Sequence, residues 1–239
     1  MDELLDLWNA FNGTPLMWLA VTLVIYWFAV WVYQRAQVAW LNPVLSSIAM
    51  VVAVLYLTQT PYNDYFESVR FIHFLLGPAT VALAVPLYAR IRKLQRLLIP
   101  ILGALCVGSI AAIVSAVGLG RLLGASSPTL LSLAPKSVTT AIAMGVSEKI
   151  GGLPPLTAVL VILTGIIGAV SGDAILSALR IRDESTRGFA IGLASHGIGT
   201  ARAFQMSEEA GAFSGLGMGL NGILTALLIP ILTELLGLI

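Results

Sequence analysis

Charge is scarce in this sequence. Only 10% of its 239 residues are Asp, Glu, Lys or Arg, and 58% are apolar. A soluble domain usually carries about 25% charged residues, so the composition excludes an ordinary soluble enzyme and a disordered chain. With a net charge of only +1, the sequence lacks the excess of positive charge that binds nucleic acid. The single Cys106 excludes an intramolecular disulfide, and the histidines number only two. We therefore expect no metal, no cofactor and no nucleic-acid partner.

Long apolar windows are abundant instead, and the mean hydropathy is +0.93. The windows are 15–34, 43–59, 71–89 (interrupted at Gly77-Pro78 and again at Pro86), 97–119, 130–150, 156–179, 189–206 and 211–239. In lipid, helices satisfy their own backbone and open strands do not. We therefore predict an all-α polytopic membrane protein with about six to eight hydrophobic segments. Residues 1–239 would form a single integral membrane domain, with N-terminal helices over 1–69 and a core over 70–239.

The basic loops indicate how the chain is threaded. Loops 90–96 and 180–187 carry the densest positive charge, and basic loops favour the cytoplasmic side. If every window crossed the bilayer fully, these two loops would lie on opposite sides. The conflict disappears if window 130–150 enters and returns on the same side. The sequence therefore predicts a re-entrant or broken segment there.

An internal repeat relates this segment to a later one. Residues 133–151 align with 193–211 at a shift of 60, with eight identities in 19 positions, where chance gives roughly two. Pro135 in the first copy and Gly197 and Gly199 in the second predict breaks in their helices. Paired broken segments in two repeats are typical of secondary transporters with a substrate site near the midplane. We predict an inverted repeat with broken segments near 130–150 and 188–206.

The polar residues of these two segments suit a small anion. Each break would present a half-helix N-terminus, which carries free N–H groups and positive potential. The candidate substrate-binding residues are Lys136, Ser137, Thr139, Thr140, Ser195, His196, Thr200, Arg202 and Asn221. Lys136 and Arg202 would supply charge, the hydroxyls would orient the substrate, and His196 would carry a proton.

A purely structural role is an open alternative for several of these side chains. Lys136 can form an ion pair with Glu148 or Asp173, and His196 can be a histidine packed in the interior. Asn221 can be a buried polar residue that hydrogen-bonds between helices. An enzyme is disfavoured, because a Ser–His pair needs a spatial geometry that two adjacent residues do not supply.

Four stretches resemble the LrgB/CidB family. They are GPATVALAVPLY (77–88), LAPKSVTT (133–140), IGGLP (150–154) and ASHGIGTARA (194–203). The resemblance covers nearly the whole chain from about residue 42. One departure is Ala141, where the family usually has a proline.

The resemblance implies a multi-pass protein of the bacterial inner membrane, linked to murein hydrolase export and autolysis. It implies an LrgA/CidA-type small membrane partner, allows a homo-oligomer, and implies kinship with the plastid glycolate/glycerate translocator. Taken with the residues, it favours transport of small 2-hydroxy or 2-oxo monocarboxylates by alternating access. The alternative is a holin-like pore or regulator acting with that partner.

Overall fold

The computed structural model describes residues 15–36, 38, 41–82 and 84–238, and every regular element in this part is a helix. The chain divides into two compact units, Met1–Ala82 and Leu83–Ile239, and each is described by itself. The predicted single domain over 1–239 stays a prediction.

Four described helices are long and apolar enough to cross a membrane, by length and composition. They are Leu16–Ala36, Ile91–Leu122, Pro154–Ala178 and Glu208–Leu235, and Pro43–Leu57 is a shorter apolar helix. The prediction of an all-α polytopic membrane protein is confirmed.

Over its described residues, the first unit forms four helices: α1 (Pro15–Ala36), α2 (Pro43–Leu57), α3 (Tyr62–Ser68) and α4 (Arg70–Ala82). Asn42 caps α2 by accepting a hydrogen bond from the Val44 backbone N–H at 2.9 Å. The Trp18 ring on α1 meets the Tyr65 ring on α3 edge-on, with centroids 5.8 Å apart. Helix α4 continues through Pro78, so the interruption predicted there is wrong. A proline removes one hydrogen bond, which a helix in a membrane protein tolerates as a local distortion.

The second unit holds the remaining helices. They are α5 (Ala84–Ala89), α6 (Ile91–Leu122), α7 (Ser127–Leu133), α8 (Thr140–Lys149), α9 (Pro154–Ala178), α10 (Glu184–Met206) and α11 (Glu208–Leu235). Among the described residues of this unit, α6, α9 and α11 are the helices long and apolar enough to cross a membrane. Helix α5 contains Pro86, the second predicted interruption.

Residues 127–149 fold back on themselves, and we call them the first hairpin. Helix α7 leads into a turn at residues 134–139, and α8 returns from it. The end of α7 meets the chain just beyond α8: the Ser132 hydroxyl accepts a hydrogen bond from the Leu153 N–H at 2.7 Å, and Leu131 packs in one cluster with Ile150. Pro135 lies in the turn, as the sequence predicted.

Residues 184–206 also fold back, and we call them the second hairpin. Helix α10 reverses at His196, whose φ of 42° and ψ of −137° are not helical. The Ser207 hydroxyl, just beyond the second arm, donates to the Glu184 carboxylate at 3.0 Å. The break therefore falls on His196, inside the segment 188–206 that was predicted to be broken and one residue before Gly197. The reversal occurs where the His196 ring is anchored on α9.

The two hairpins start from opposite ends of α6. The base of the first packs near the C-terminal end of α6, where a Cβ added at Gly120 would lie 2.7 Å from a Leu130 methyl. The base of the second is tied to the first turn of α6 by the Lys93–Asp183 ion pair at 2.8 Å. We call the end with Lys93 and Asp183 the basic end and the other the far end. Loops 90–96 and 180–187 thus share one end, as the charge argument required.

Candidate functional site

Asn221 connects the tips of the two hairpins. It lies fully buried near the middle of α11. Its amide nitrogen donates to the Leu193 carbonyl at 2.9 Å, in the second hairpin, and to the Ser137 carbonyl at 3.3 Å, in the first. Its amide oxygen accepts hydrogen bonds from the hydroxyls of Ser109 at 2.7 Å and Thr225 at 3.0 Å. Both polar ends of this amide are therefore satisfied, and α6, α11 and both hairpins meet at one point, the Asn221 hub.

The first tip places Lys136 beside this hub. Lys136 precedes Ser137 in the turn and is half-buried. Its ammonium has no hydrogen bond or ion pair with the residues that the structure describes. Asp173, one partner considered from the sequence, is engaged by Arg187 instead, and Glu148 is exposed. A half-buried cation without a protein partner is available to an anionic ligand.

The hydroxyls of the first tip lie at the start of α8. Thr139 is the N-cap residue of that helix, and its side chain makes no capping bond. Thr140 follows as the first helical residue, and both side chains are partly exposed. The N-terminus of α8 therefore opens at the tip with its threonine hydroxyls next to Lys136.

The second tip is fixed on α9. The His196 Nε2 atom lies 2.9 Å from the Val161 carbonyl, to which it can donate. Gly165 and Gly168 make this approach possible, because a Cβ at Gly165 would lie 2.7 Å from the imidazole and one at Gly168 would overlap the Ser195 hydroxyl. Ser195 and His196 are almost completely buried. This geometry matches the packed histidine that the sequence left open.

Thr200 and Arg202 lie on the second arm of α10. The Thr200 hydroxyl donates to the His196 carbonyl at 2.9 Å and lies 2.9 Å from the Ser214 hydroxyl. The Arg202 guanidinium donates to the Gln205 amide at 3.1 Å, toward the base of the hairpin. The structure thus brings Ser137 and Asn221 together, with Lys136 next to Ser137 in the turn, while Arg202 donates to Gln205 on its own helix arm.

Sequence reasoning missed Ser109, Ser214 and Thr225. Ser109 is the lone hydroxyl in the apolar stretch from residue 97 to 114, and Thr225 lies one turn beyond Asn221. An isolated polar residue inside an apolar helix is itself a signal, since a buried hydroxyl in lipid needs a partner. That signal could have found Ser109, but not which helix it faces.

The sequence matches the LrgB-like family over residues 22–235. The chain belongs to this family. Among curated relatives, the Bacillus subtilis protein called "Uncharacterized protein YwbG" is 39% identical over 214 residues, which cover 90% of this chain and 95% of that protein. The Staphylococcus aureus "Holin-like protein CidB" is 32% identical over 217 residues, covering 91% of this chain and 95% of the relative.

A third relative, the Staphylococcus epidermidis "Holin-like protein CidB", is 31% identical over 212 residues, covering 89% of this chain and 93% of that protein. No solved structure matches the chain. The resemblance drawn from the four sequence stretches is therefore confirmed, and these relatives are membrane-family proteins whose names designate no enzyme.

Proposed function

We propose that this LrgB-like protein transports small 2-hydroxy or 2-oxo monocarboxylates by alternating access. The observation that carries the proposal is the Asn221 hub, where the tips of two hairpins from opposite ends of α6 share one buried amide. A transporter needs such a point, because a central site must open to one side at a time.

The two hairpins support an inverted repeat. If α6, α9 and α11 cross the bilayer, each hairpin enters from one face and returns to it. Their breaks fall at equivalent repeat positions, Pro135-Lys136 and Ser195-His196. Broken segments of this kind near the midplane carry the substrate sites of many secondary transporters.

The chemistry of the first tip supports an anionic substrate. The half-helix α8 begins at Thr140, directly after the N-cap residue Thr139, and its first amides lack intrahelical acceptors. Lys136 adds a full positive charge in a poorly solvated setting. Together they suit one carboxylate, which the Thr139 and Thr140 hydroxyls would orient. At the second tip, Ser195, His196 and Thr200 would shape the opposite wall of the site.

Uptake by purified protein in liposomes tests the proposal. We expect saturable uptake of glycolate, lactate or pyruvate, and none would contradict it. Lys136→Ala should reduce uptake at least tenfold at unchanged protein level, while Lys136→Arg keeps part of it. Arg202→Ala should have a smaller effect, since this side chain donates toward Gln205. Equal losses in the two alanine variants would contradict the role given to Lys136.

A holin-like pore is the second candidate, and the name of the staphylococcal relatives favours it. In that role the protein would regulate murein hydrolase export from the bacterial inner membrane, with an LrgA/CidA-type partner or as a homo-oligomer. A pore would leak larger solutes without saturation or selectivity. Release of a trapped uncharged dye from the same liposomes therefore separates the two functions.

A further inference from the structure

A cavity of about 290 Å³ lies between α6 and the first arm of α10. Its α6 wall is a stripe at helical spacing, formed by Leu97, Ile101, Ala104 and Gly108, and Phe189 and Leu193 face it from α10. Apart from two hydroxyl-bearing residues, the lining is apolar. Leu193 also belongs to the site described above, because its carbonyl accepts the hydrogen bond from Asn221; the other five residues named here do not.

The cavity begins at the basic end. Its polar lining residues are Ser185 and Thr186, in the first turn of α10. Both are held by Asp183, which also pairs with Lys93. The outer part of the cavity therefore lies beside the loop charges that favour the cytoplasmic side.

The inner end stops next to the Asn221 hub. Gly108 lines the cavity, and the following residue, Ser109, donates to Asn221 and is fully buried. A Cβ added at Gly108 would lie 3.1 Å from both methyl carbons of Leu193, so this side chain covers the glycine. The Leu193 carbonyl accepts the hydrogen bond from Asn221. The Leu193 side chain therefore lies at the inner end of the cavity, next to the hub.

We infer that this cavity is the vestibule through which substrate reaches the hairpin tips from the basic end, and that Leu193 closing on Gly108 is its inner gate. The inference rests on the proposed function. An apolar vestibule offers no partner to a second carboxylate, whose burial is costly. It therefore favours monocarboxylates over dicarboxylates, which would bring two charged groups into the apolar lining instead of one.

Thiol accessibility tests the gate without any transport assay. In a Cys106→Ser background, a charged thiol reagent added at the basic end should label Ala104→Cys. It should label Ser109→Cys only when Leu193→Ala is also present, with at least a tenfold rise in rate. Labelling of Ser109→Cys with Leu193 intact, or no rise after its truncation, would overturn the gate. Leu193→Val repeats the test with a smaller truncation of the side chain. Thermal unfolding checks that each variant folds.

Native Cys106 is the matched control, because it lies on α6 two residues from Ala104 and is exposed outside the cavity. In the wild-type chain it should resist the charged reagent, since lipid would cover that face.

Uptake then separates the vestibule from the proposed function. Labelled Ala104→Cys should lose substrate uptake, and lactate present during labelling should slow the reaction. If the unlabelled protein transports and the labelled protein transports equally well, the vestibule is wrong while the proposed function stands. If the wild-type protein does not transport at all, the proposed function fails, and with it the substrate assigned to this cavity.

Discussion

The first hairpin turns over six residues, 134–139, whereas the second turns at one, His196. The wide turn contains a proline and leaves Lys136 without a protein partner among the described residues. The sharp turn places a non-glycine residue at positive φ and anchors its ring on α9. Two stretches that align in sequence are thus built for different tasks: the first tip is open to a ligand, and the second is locked to its neighbours.

Packing against α11 extends this difference. The first arm of the second hairpin approaches α11 backbone to backbone at Gly188 and Gly192, where an added Cβ would overlap the carbonyls of Ala210 and Ser214. The first hairpin is joined to α9 by a side-chain bond, in which the Thr157 hydroxyl donates to the Ser147 hydroxyl at 2.7 Å. We therefore expect the second hairpin and α11 to behave as one rigid piece.

The largest effect should come from adding a methyl group at this close contact. Gly192→Ala should destabilise the protein by about 3 kcal/mol, because two backbones must separate. The matched control is Gly145→Ala in α8, where an added Cβ meets nothing within 4 Å; it should stabilise by about 0.5–1 kcal/mol, the usual gain over glycine in a helix. Thermal unfolding in detergent measures both. Similar changes in the two variants would refute the packing difference.

The second effect concerns the strain at the sharp turn. A residue in this backbone region costs about 1–3 kcal/mol, which glycine avoids. Both His196→Ala and His196→Gly lose the bond to the Val161 carbonyl, so the glycine variant should unfold at the higher temperature. At the wide turn, Lys136→Ala should leave the unfolding temperature nearly unchanged. An alanine variant at 196 as stable as the glycine variant would show that the turn is unstrained.

The smallest expected effect is on how stability depends on pH, through Asp183 at the base of the second hairpin. Although burial raises the pKa of Asp183, hydrogen bonds from Lys93, Ser185 and Thr186 outweigh it and hold this pKa well below its usual range. The ionised carboxylate therefore contributes stability above its unfolded pKa of about 3.9, and this contribution is lost as the pH falls through the folded value. For so exposed a pair we expect at most about 1 kcal/mol.

Unfolding temperatures measured from pH 6 to pH 3 check this last prediction. The wild-type protein should lose more stability over that range than Asp183→Asn. At the base of the first hairpin the side-chain hydrogen bonds among the described residues are made by hydroxyls, and no ion pair lies there, so Ser147→Ala should lower stability equally at both pH values. Parallel pH curves for wild type and Asp183→Asn would contradict the prediction.

Much of this architecture was visible in the sequence, for identifiable reasons. Pro135 marked the first break because a proline disrupts a helix by its covalent structure. The positive charge of loops 90–96 and 180–187 predicted that one apolar window does not cross the bilayer. The Lys93–Asp183 ion pair, which joins the two loops at one end of α6, agrees with this prediction. A break near 188–206 was predicted from the repeat, but not that it falls on His196 or that the ring of this residue meets the Val161 carbonyl of another helix. Asn221 was recognised as polar, but its partners on three other elements come only from the tertiary fold.

The most direct test of the account is the side of the membrane from which each hairpin starts. Single cysteines at Ala125, before the first hairpin, and at Arg182, before the second, can be labelled in Cys106→Ser protein with a membrane-impermeant reagent. Opposed hairpins meeting at Asn221 predict that the two positions label from opposite faces, with position 182 on the same face as a cysteine at Arg92. Labelling of positions 125 and 182 from the same face would contradict the account.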